Sequence, residues 1–160
     1  MSRDEAADTS DDGTPRTPDR LRRRASRLLS QLTVRSDRLI NDGLARVDAR
    51  KWHYAVLASL QDLGPGSQAV LSGRTGIYRS DMVGVLNELA ERELVERAPD
   101  PDDRRRNVIT ISAKGRRQLR RLDKALDDLH DELLAPLAPA ERDDLVQLLT
   151  RLLDHHTRAS

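Results

Sequence analysis

Three consecutive arginines, Arg104, Arg105 and Arg106, follow Asp103 in a turn-rich charged run that begins Pro99-Asp100-Pro101-Asp102. Guanidinium groups suit phosphates and the enhanced negative potential of a narrow DNA minor groove. Asp103 is close enough in sequence to hold an arginine in one rotamer, so less side-chain freedom is lost on binding. Upstream, Arg79, Ser80, Val83, Gly84 and Asn87 fall largely on one side of a helix at about 100° per residue. They offer a guanidinium, a hydroxyl, an apolar contact and an amide, the group types that read base edges in a major groove. Met82, Val85, Leu86 and Leu89 fall on the other side and are expected in the core. A glycine inside a helix costs about 1 kcal/mol relative to Ala. Gly84 is therefore either a point of close approach to the groove floor or a tolerated surface glycine. Asp81 lies in the first turn, where a carboxylate favours the positive end of the helix dipole. Ser67, Gln68, Arg74 and Arg97 are candidate phosphate contacts, together with the N-terminal amides of a helix starting at Gln68.

Other chemistries find little support. The chain has no cysteine, which removes disulfides, thiolate catalysis and zinc–thiolate sites. His155 and His156 are adjacent, so on a helix they point apart and make a poor chelate. His53 and His130 have no partners at ligand spacing, so no metal and no cofactor is expected. There is no Walker loop, zincin motif or nucleophile elbow, and the reading is non-enzymatic. No apolar run approaches the roughly 20 residues of a membrane span, and no signal-peptide core is present. A cytoplasmic protein with no membrane partner is the expectation.

These residues need a scaffold. The 160 residues are 37% hydrophobic but only 2% aromatic, so an aliphatic, helix-rich core is expected. Residues 1–17 are polar and acidic and read as a disordered, solvated tail. A helical period runs from Pro18 to about Ile40, and Gly43 permits a stop. A second helix covers Ala49 to Leu63, with Trp52, Ala55, Val56, Leu60 and Leu63 on one face and small Ser59 within it. Gly64-Pro65-Gly66 breaks it. Ser67 is a plausible N-cap for a short helix from Gln68 to Arg74, and Gly76 separates that from the helix Arg79 to Arg92. Two β-rich runs, Leu94 to Ala98 and Asn107 to Ile111, flank the arginine loop and read as a hairpin. Leu119, Leu122, Leu126, Leu129, Leu133 and Leu134 stripe a long helix that ends before Pro136. Pro139 starts a last one carrying Leu145, Leu148, Leu149, Leu152 and Leu153. The fold class is mostly α with a small β-hairpin wing: a winged helix-turn-helix at 49–112 inside a single domain, 18–160. The leucine stripes of 18–48 and 113–156 suggest a helical dimerisation layer.

The stretch from Ser67 to Gly115, with Asp100-Pro101, Asp103-x-Arg105 and the following Val108-Ile109-Thr110-Ile111-Ser112-Ala113-Lys114-Gly115, resembles the MarR family of bacterial transcription regulators. The resemblance covers about Leu21 to Leu153. It implies a homodimer that binds double-stranded DNA at pseudopalindromic operators, and repression relieved by a small, often aromatic or anionic ligand. It also implies that the start of the second helix lines a ligand cavity. Trp52, His53 or Tyr54 could face such a cavity, although the preferred reading puts Trp52 in the core and the other two at the dimer interface. Three departures stand out. Tyr78 occupies the N-cap of the recognition helix, where the family often has Ser or Asp. Glu93 stands where a glycine usually precedes the wing. The absence of cysteine excludes cysteine-based peroxide sensing. The competing functions are a ligand-independent activator of the same fold and a winged-helix protein-interaction module.

Overall fold

The computed structural model describes residues 17–158, so the tail assigned to residues 1–17 lies, but for Thr17, outside the described residues. The elements in chain order are α1 (Asp19–Arg22), α2 (Ala25–Ala45), α3 (Lys51–Leu63), α4 (Gln68–Thr75), α5 (Arg79–Glu91), β1 (Val95–Pro99), β2 (Asn107–Ile111), α6 (Ala113–Leu133) and α7 (Pro139–Arg158). Two compact units result, one up to Arg38 and one from Leu39 onward.

In the first unit the expected single helix from Pro18 is broken at Arg23 and Arg24. Four of the six residues from Asp19 to Arg24 are arginines, and Leu21 is exposed, so repulsion is not offset by burial. The α2 residues Leu28, Leu29, Leu32 and Val34 are also exposed, an amphipathic helix showing its apolar side chains.

In the second unit the core gathers Leu44, Val56, Leu57, Leu60, Leu71, Met82, Leu86, Leu89, Ile109 and Leu122. The α6 stripe, Leu119, Leu122, Leu126 and Leu129, is buried in this same core. Gly43 does not stop α2. A Cβ there would lie 2.4 Å from the Leu129 methyls, so the glycine lets α6 approach. The stop comes at Asp48, left-handed at φ 53, where the Asp48 and Ala49 amides bond back to Ala45 and Leu44. The α7 residues Leu148, Leu149, Leu152 and Leu153 remain exposed, and no residue of that helix is buried. Among the described residues, no helix is long and apolar enough to cross a membrane.

β1 and β2 pair antiparallel, with Val95 opposite Ile111 and Pro99 opposite Asn107. Gly66 adds an isolated antiparallel bridge to β2: it exchanges backbone hydrogen bonds with Ile109 at 3.2 and 2.9 Å. The Gly64-Pro65-Gly66 segment, expected only to break a helix, thus also anchors the hairpin.

The turn from α5 into β1 is a Schellman closure, in which the Glu93 and Leu94 amides bond to Ala90 and Leu89 carbonyls. Glu93 is left-handed at φ 59. Its carbonyl accepts from the Ser112 hydroxyl at 2.6 Å, and its carboxylate meets Lys114 at 3.0 Å. A non-glycine residue here costs about 1 kcal/mol. Glu93→Gly should therefore raise the thermal midpoint by about 2–4 °C. An unchanged or lower midpoint would show that the Ser112 and Lys114 contacts outweigh the strain.

Candidate nucleic-acid interface

Ser67 caps α4 as expected, its hydroxyl accepting from the Val70 amide at 3.3 Å. Gly76, left-handed at φ 71, ends α4 and turns the chain into α5. Tyr78 makes no side-chain cap bond and is 80% exposed, as the residue type requires. Across α5, Met82, Val85, Leu86 and Leu89 are buried, whereas Arg79, Ser80, Val83, Gly84 and Asn87 are exposed. Nothing lies within 4 Å of a Cβ built on Gly84.

The hairpin tip is braced as the sequence suggested. The Asp103 carboxylate accepts from the Arg105 amide at 3.1 Å and from its Nε at 3.2 Å, and lies 3.7 Å from Arg106 Nε. The Arg106 amide donates to the Asp103 carbonyl, and the Asp100 amide to the Arg106 carbonyl. The Arg105 side chain nevertheless stays 92% exposed, so its orientation is restrained while its charge faces solvent. Arg104 is exposed beside it.

These elements enclose one groove of about 560 Å³. Ser67, Gln68 and Val70 of the α4 start, Arg79 and Val83 of α5, and Arg97, Arg105 and Arg106 of the hairpin line it, without a carboxylate. Seven of the sequence-derived candidates therefore converge: Ser67, Gln68, Arg79, Val83, Arg97, Arg105 and Arg106. The others differ. Ser80, Gly84 and Asn87 do not line this groove. Asn87 Oδ1 accepts from Arg97 at 2.8 Å, which joins the recognition helix to the wing base. Arg74 donates to the Gly64 carbonyl at 2.9 Å and lies outside the groove lining, so it ties α4 to the connector. Gln68 donates to the Arg79 carbonyl at 3.2 Å and so positions the start of α5.

The three aromatic candidates separate. Trp52 is 38% exposed, with the Lys51 ammonium 4.9 Å over its ring, so its expected place in the core is corrected. Leu63, expected on the same inner face, is 61% exposed, so that expectation is corrected too. Tyr54 is half-buried, and its phenol is raised above its usual range by burial and by a hydrogen bond to Asp123. His53 is buried: its Nδ1 accepts from the Arg50 amide at 3.2 Å, and its Nε2 lies 2.8 Å from Glu88. The backbone donor assigns the proton to Nε2, so a neutral imidazole bonds to Glu88, which Arg50 also grips. This cluster, absent from the sequence-derived reading, joins the start of α3 to α5.

Burial holds the His53 imidazole below its ordinary value of 6.5, against the opposing effect of the hydrogen bond it donates to Glu88. The Arg50 and then the His53 hydrogen bonds hold Glu88 below 4.5. Both shifts have the same sign. Below pH 6.5 the unfolded chain protonates its histidine before the folded one does, so stability falls as pH falls. The Glu88 contribution is present above 4.5 and lost on further acidification. Thermal melts should therefore show the midpoint dropping as pH falls from about 7 to 5, with a shallower slope in His53→Gln. Equal slopes would remove His53 as the cause.

A buried aliphatic core carrying a helix-turn-helix, an exposed recognition face and an arginine-tipped hairpin define a winged-helix protein of the DNA-binding class. The description of the MarR family matches residues 43–106 of this chain. It is 29% identical over 106 residues to the transcriptional repressor NicR of Pseudomonas putida, covering 66% of this chain and 67% of that one. The chain spans between about half and two thirds of the length of the curated relatives it matches. Among solved structures it resembles Bordetella bronchiseptica BpsR, whose DNA binding is regulated by 6-hydroxynicotinic acid. The TM-score is 0.75 at 25% identity, covering 86% of this chain and 99% of that one. It also resembles a cysteine-to-serine mutant of E. coli MarR complexed with operator DNA. There the TM-score is 0.70 at 26% identity, covering 80% and 92%.

Proposed function

We propose that this protein is a sequence-specific transcriptional repressor that binds a pseudopalindromic operator as a homodimer and is released by a small ligand. The observation that carries the DNA-binding reading is the carboxylate-free groove shared by α4, α5 and the hairpin, with four arginines on its walls. In this reading the outer face of α5 enters a major groove, and Arg104 and Arg105 enter the flanking minor groove. Phosphates meet the α4 amides and Arg97. The exposed leucines of α2 and of α7 supply apolar surface for pairing two copies. Two-fold symmetry then sets half-sites about one helical turn apart. The resemblance to NicR and BpsR supports repression and ligand control.

The test is binding of the chain to DNA from its own upstream region, followed by fluorescence anisotropy across salt concentrations. A steep linear fall of log affinity with log salt is expected. Absence of salt-sensitive binding would favour a protein-interaction module instead. For the ligand, 6-hydroxynicotinic acid and other small aromatic acids are the first candidates. If no compound changes operator affinity, the ligand-independent activator becomes the better reading.

Gly84 provides a separate check. Its packing within the chain does not require glycine, so Gly84→Ala should raise the thermal midpoint by about 2–4 °C. If the helix backbone approaches the groove floor there, the same variant binds operator about tenfold more weakly. Unchanged affinity would make Gly84 a tolerated surface residue.

A further inference from the structure

The first half of α6 is strongly basic. Lys114, Arg116, Arg117, Arg120 and Arg121 all fall within two turns of one another, and none lines the groove assigned to DNA. Like charges one turn apart weaken a helix, and Arg117 and Arg121 are such a pair. Among the described residues neither has a carboxylate within ion-pair distance.

Both side chains border a recess of about 520 Å³, lined by Arg92, Leu94, Lys114, Arg117, Gln118 and Arg121. That is four cations and no carboxylate. Lys114 meets Glu93 at 3.0 Å and Arg92 meets Asp48 at 3.2 Å, but neither acid lines the recess. Gln118 is 9% exposed as a whole residue and lines the same recess. Its carboxamide adds a neutral donor to the cationic wall.

Gly115 explains how the recess forms. A Cβ there would lie 2.1 Å from the Leu94 carbonyl oxygen. The glycine lets the first turn of α6 seat against the α5–β1 turn, which brings Arg92 alongside Lys114, Arg117 and Arg121.

We propose that this recess binds a small polyanion bearing at least two carboxylate or phosphate groups. Guanidinium forks match both groups bidentately. The concave shape and the volume suit a small molecule. The position argues against a continuation of the DNA contact. Arg92 caps the C-terminal end of α5, whereas the DNA groove includes Arg79 at its N-terminal end. At 1.5 Å per residue these ends are about 20 Å apart. The bound anion bridges the last turn of the recognition helix to α6, and a ligand that fits one arrangement of the two better than another biases that arrangement. The effect on operator binding rests on the function proposed above; anion binding itself does not.

The site is tested by isothermal titration calorimetry of the full chain without DNA. Pyrophosphate and citrate are titrated separately, with ionic strength held constant by sodium chloride. At least one probe should give saturable binding at one site per chain. Arg117→Gln/Arg121→Gln should raise its Kd at least tenfold, and Gln118→Leu should do so without changing charge. Arg104→Gln/Arg105→Gln in the wing should leave it within twofold. Either ranking of the probes supports the site, the tighter one assigning phosphate or carboxylate as the ligand's acid group. No saturable binding by either probe, or an equal loss in the wing variant, overturns it. The arginine variants are at exposed positions, so they decide the matter if Gln118→Leu fails to fold. In a second arm, operator affinity at saturating probe should change at least threefold, and no change overturns the regulatory role. A chain that binds pyrophosphate or citrate but no DNA keeps the site and refutes the proposed function.

Discussion

Gly115→Ala should lower the unfolding free energy by about 3 kcal/mol, measured by denaturant melts. The sign itself is diagnostic. Adding a methyl to a glycine within a helix ordinarily stabilises it by about 1 kcal/mol. At Gly115 the added Cβ would stand 2.1 Å from the Leu94 carbonyl oxygen and 2.8 Å from Ile111 Cγ1. The first obstacle is backbone, which cannot rotate aside. The Ser112 cap, 2.9 Å from the Gly115 amide, fixes the other side of the same turn. Either α6 moves away from the sheet or the Schellman turn at Glu93 opens. A loss below about 1 kcal/mol would mean that α6 slides freely along the hairpin.

Arg105→Ala should weaken operator binding ten- to a hundredfold, equivalent to about 1–3 kcal/mol. The side chain is 92% exposed yet held by Asp103 through Nε, so part of the entropy of ordering it is lost before DNA arrives. The salt slope should fall by about one unit if the contact neutralises a phosphate. An unaltered slope with weaker affinity would place Arg105 on groove shape instead. Asp103→Ala should reproduce part of the loss without removing a cation, a result that simple charge counting does not give. Wild-type affinity in Arg105→Ala would remove the wing from the interface.

Much of this architecture is legible because its causes are local. The β-rich run Asn107 to Ile111, the Ser67 cap, and the buried face of Met82, Val85, Leu86 and Leu89 all follow from short-range rules. The Asp103 brace spans two residues, so sequence proximity revealed it. What failed to show depends on distant partners. Glu88 meets His53 across 35 residues, and no periodicity points from one to the other. Gly66 pairs with Ile109 although a Gly-Pro-Gly segment looks only like a breaker. Gly43 reads as a stop because glycine ends helices, yet here it admits Leu129. Trp52 reads as inward from its helical face and from the usual packing role of aromatics, and neither reveals whether another element covers that face. The candidate interface divided in the same way. Residues at element starts and on the loop converged, whereas Arg74 and Asn87 had intramolecular partners that a linear reading could not see.

The Gly66–Ile109 pair has a mechanical consequence. Two backbone hydrogen bonds fasten the middle of β2 to the residue just before the α4 cap. The hairpin is therefore the second jaw of a caliper whose other jaw is α5. Rotating the hairpin outward breaks those bonds or drags Ser67 and the entry of α4 with it. Under the function proposed above, the distance between the arginine tip and Arg79 would then act as a built-in gauge of the phase between adjacent grooves.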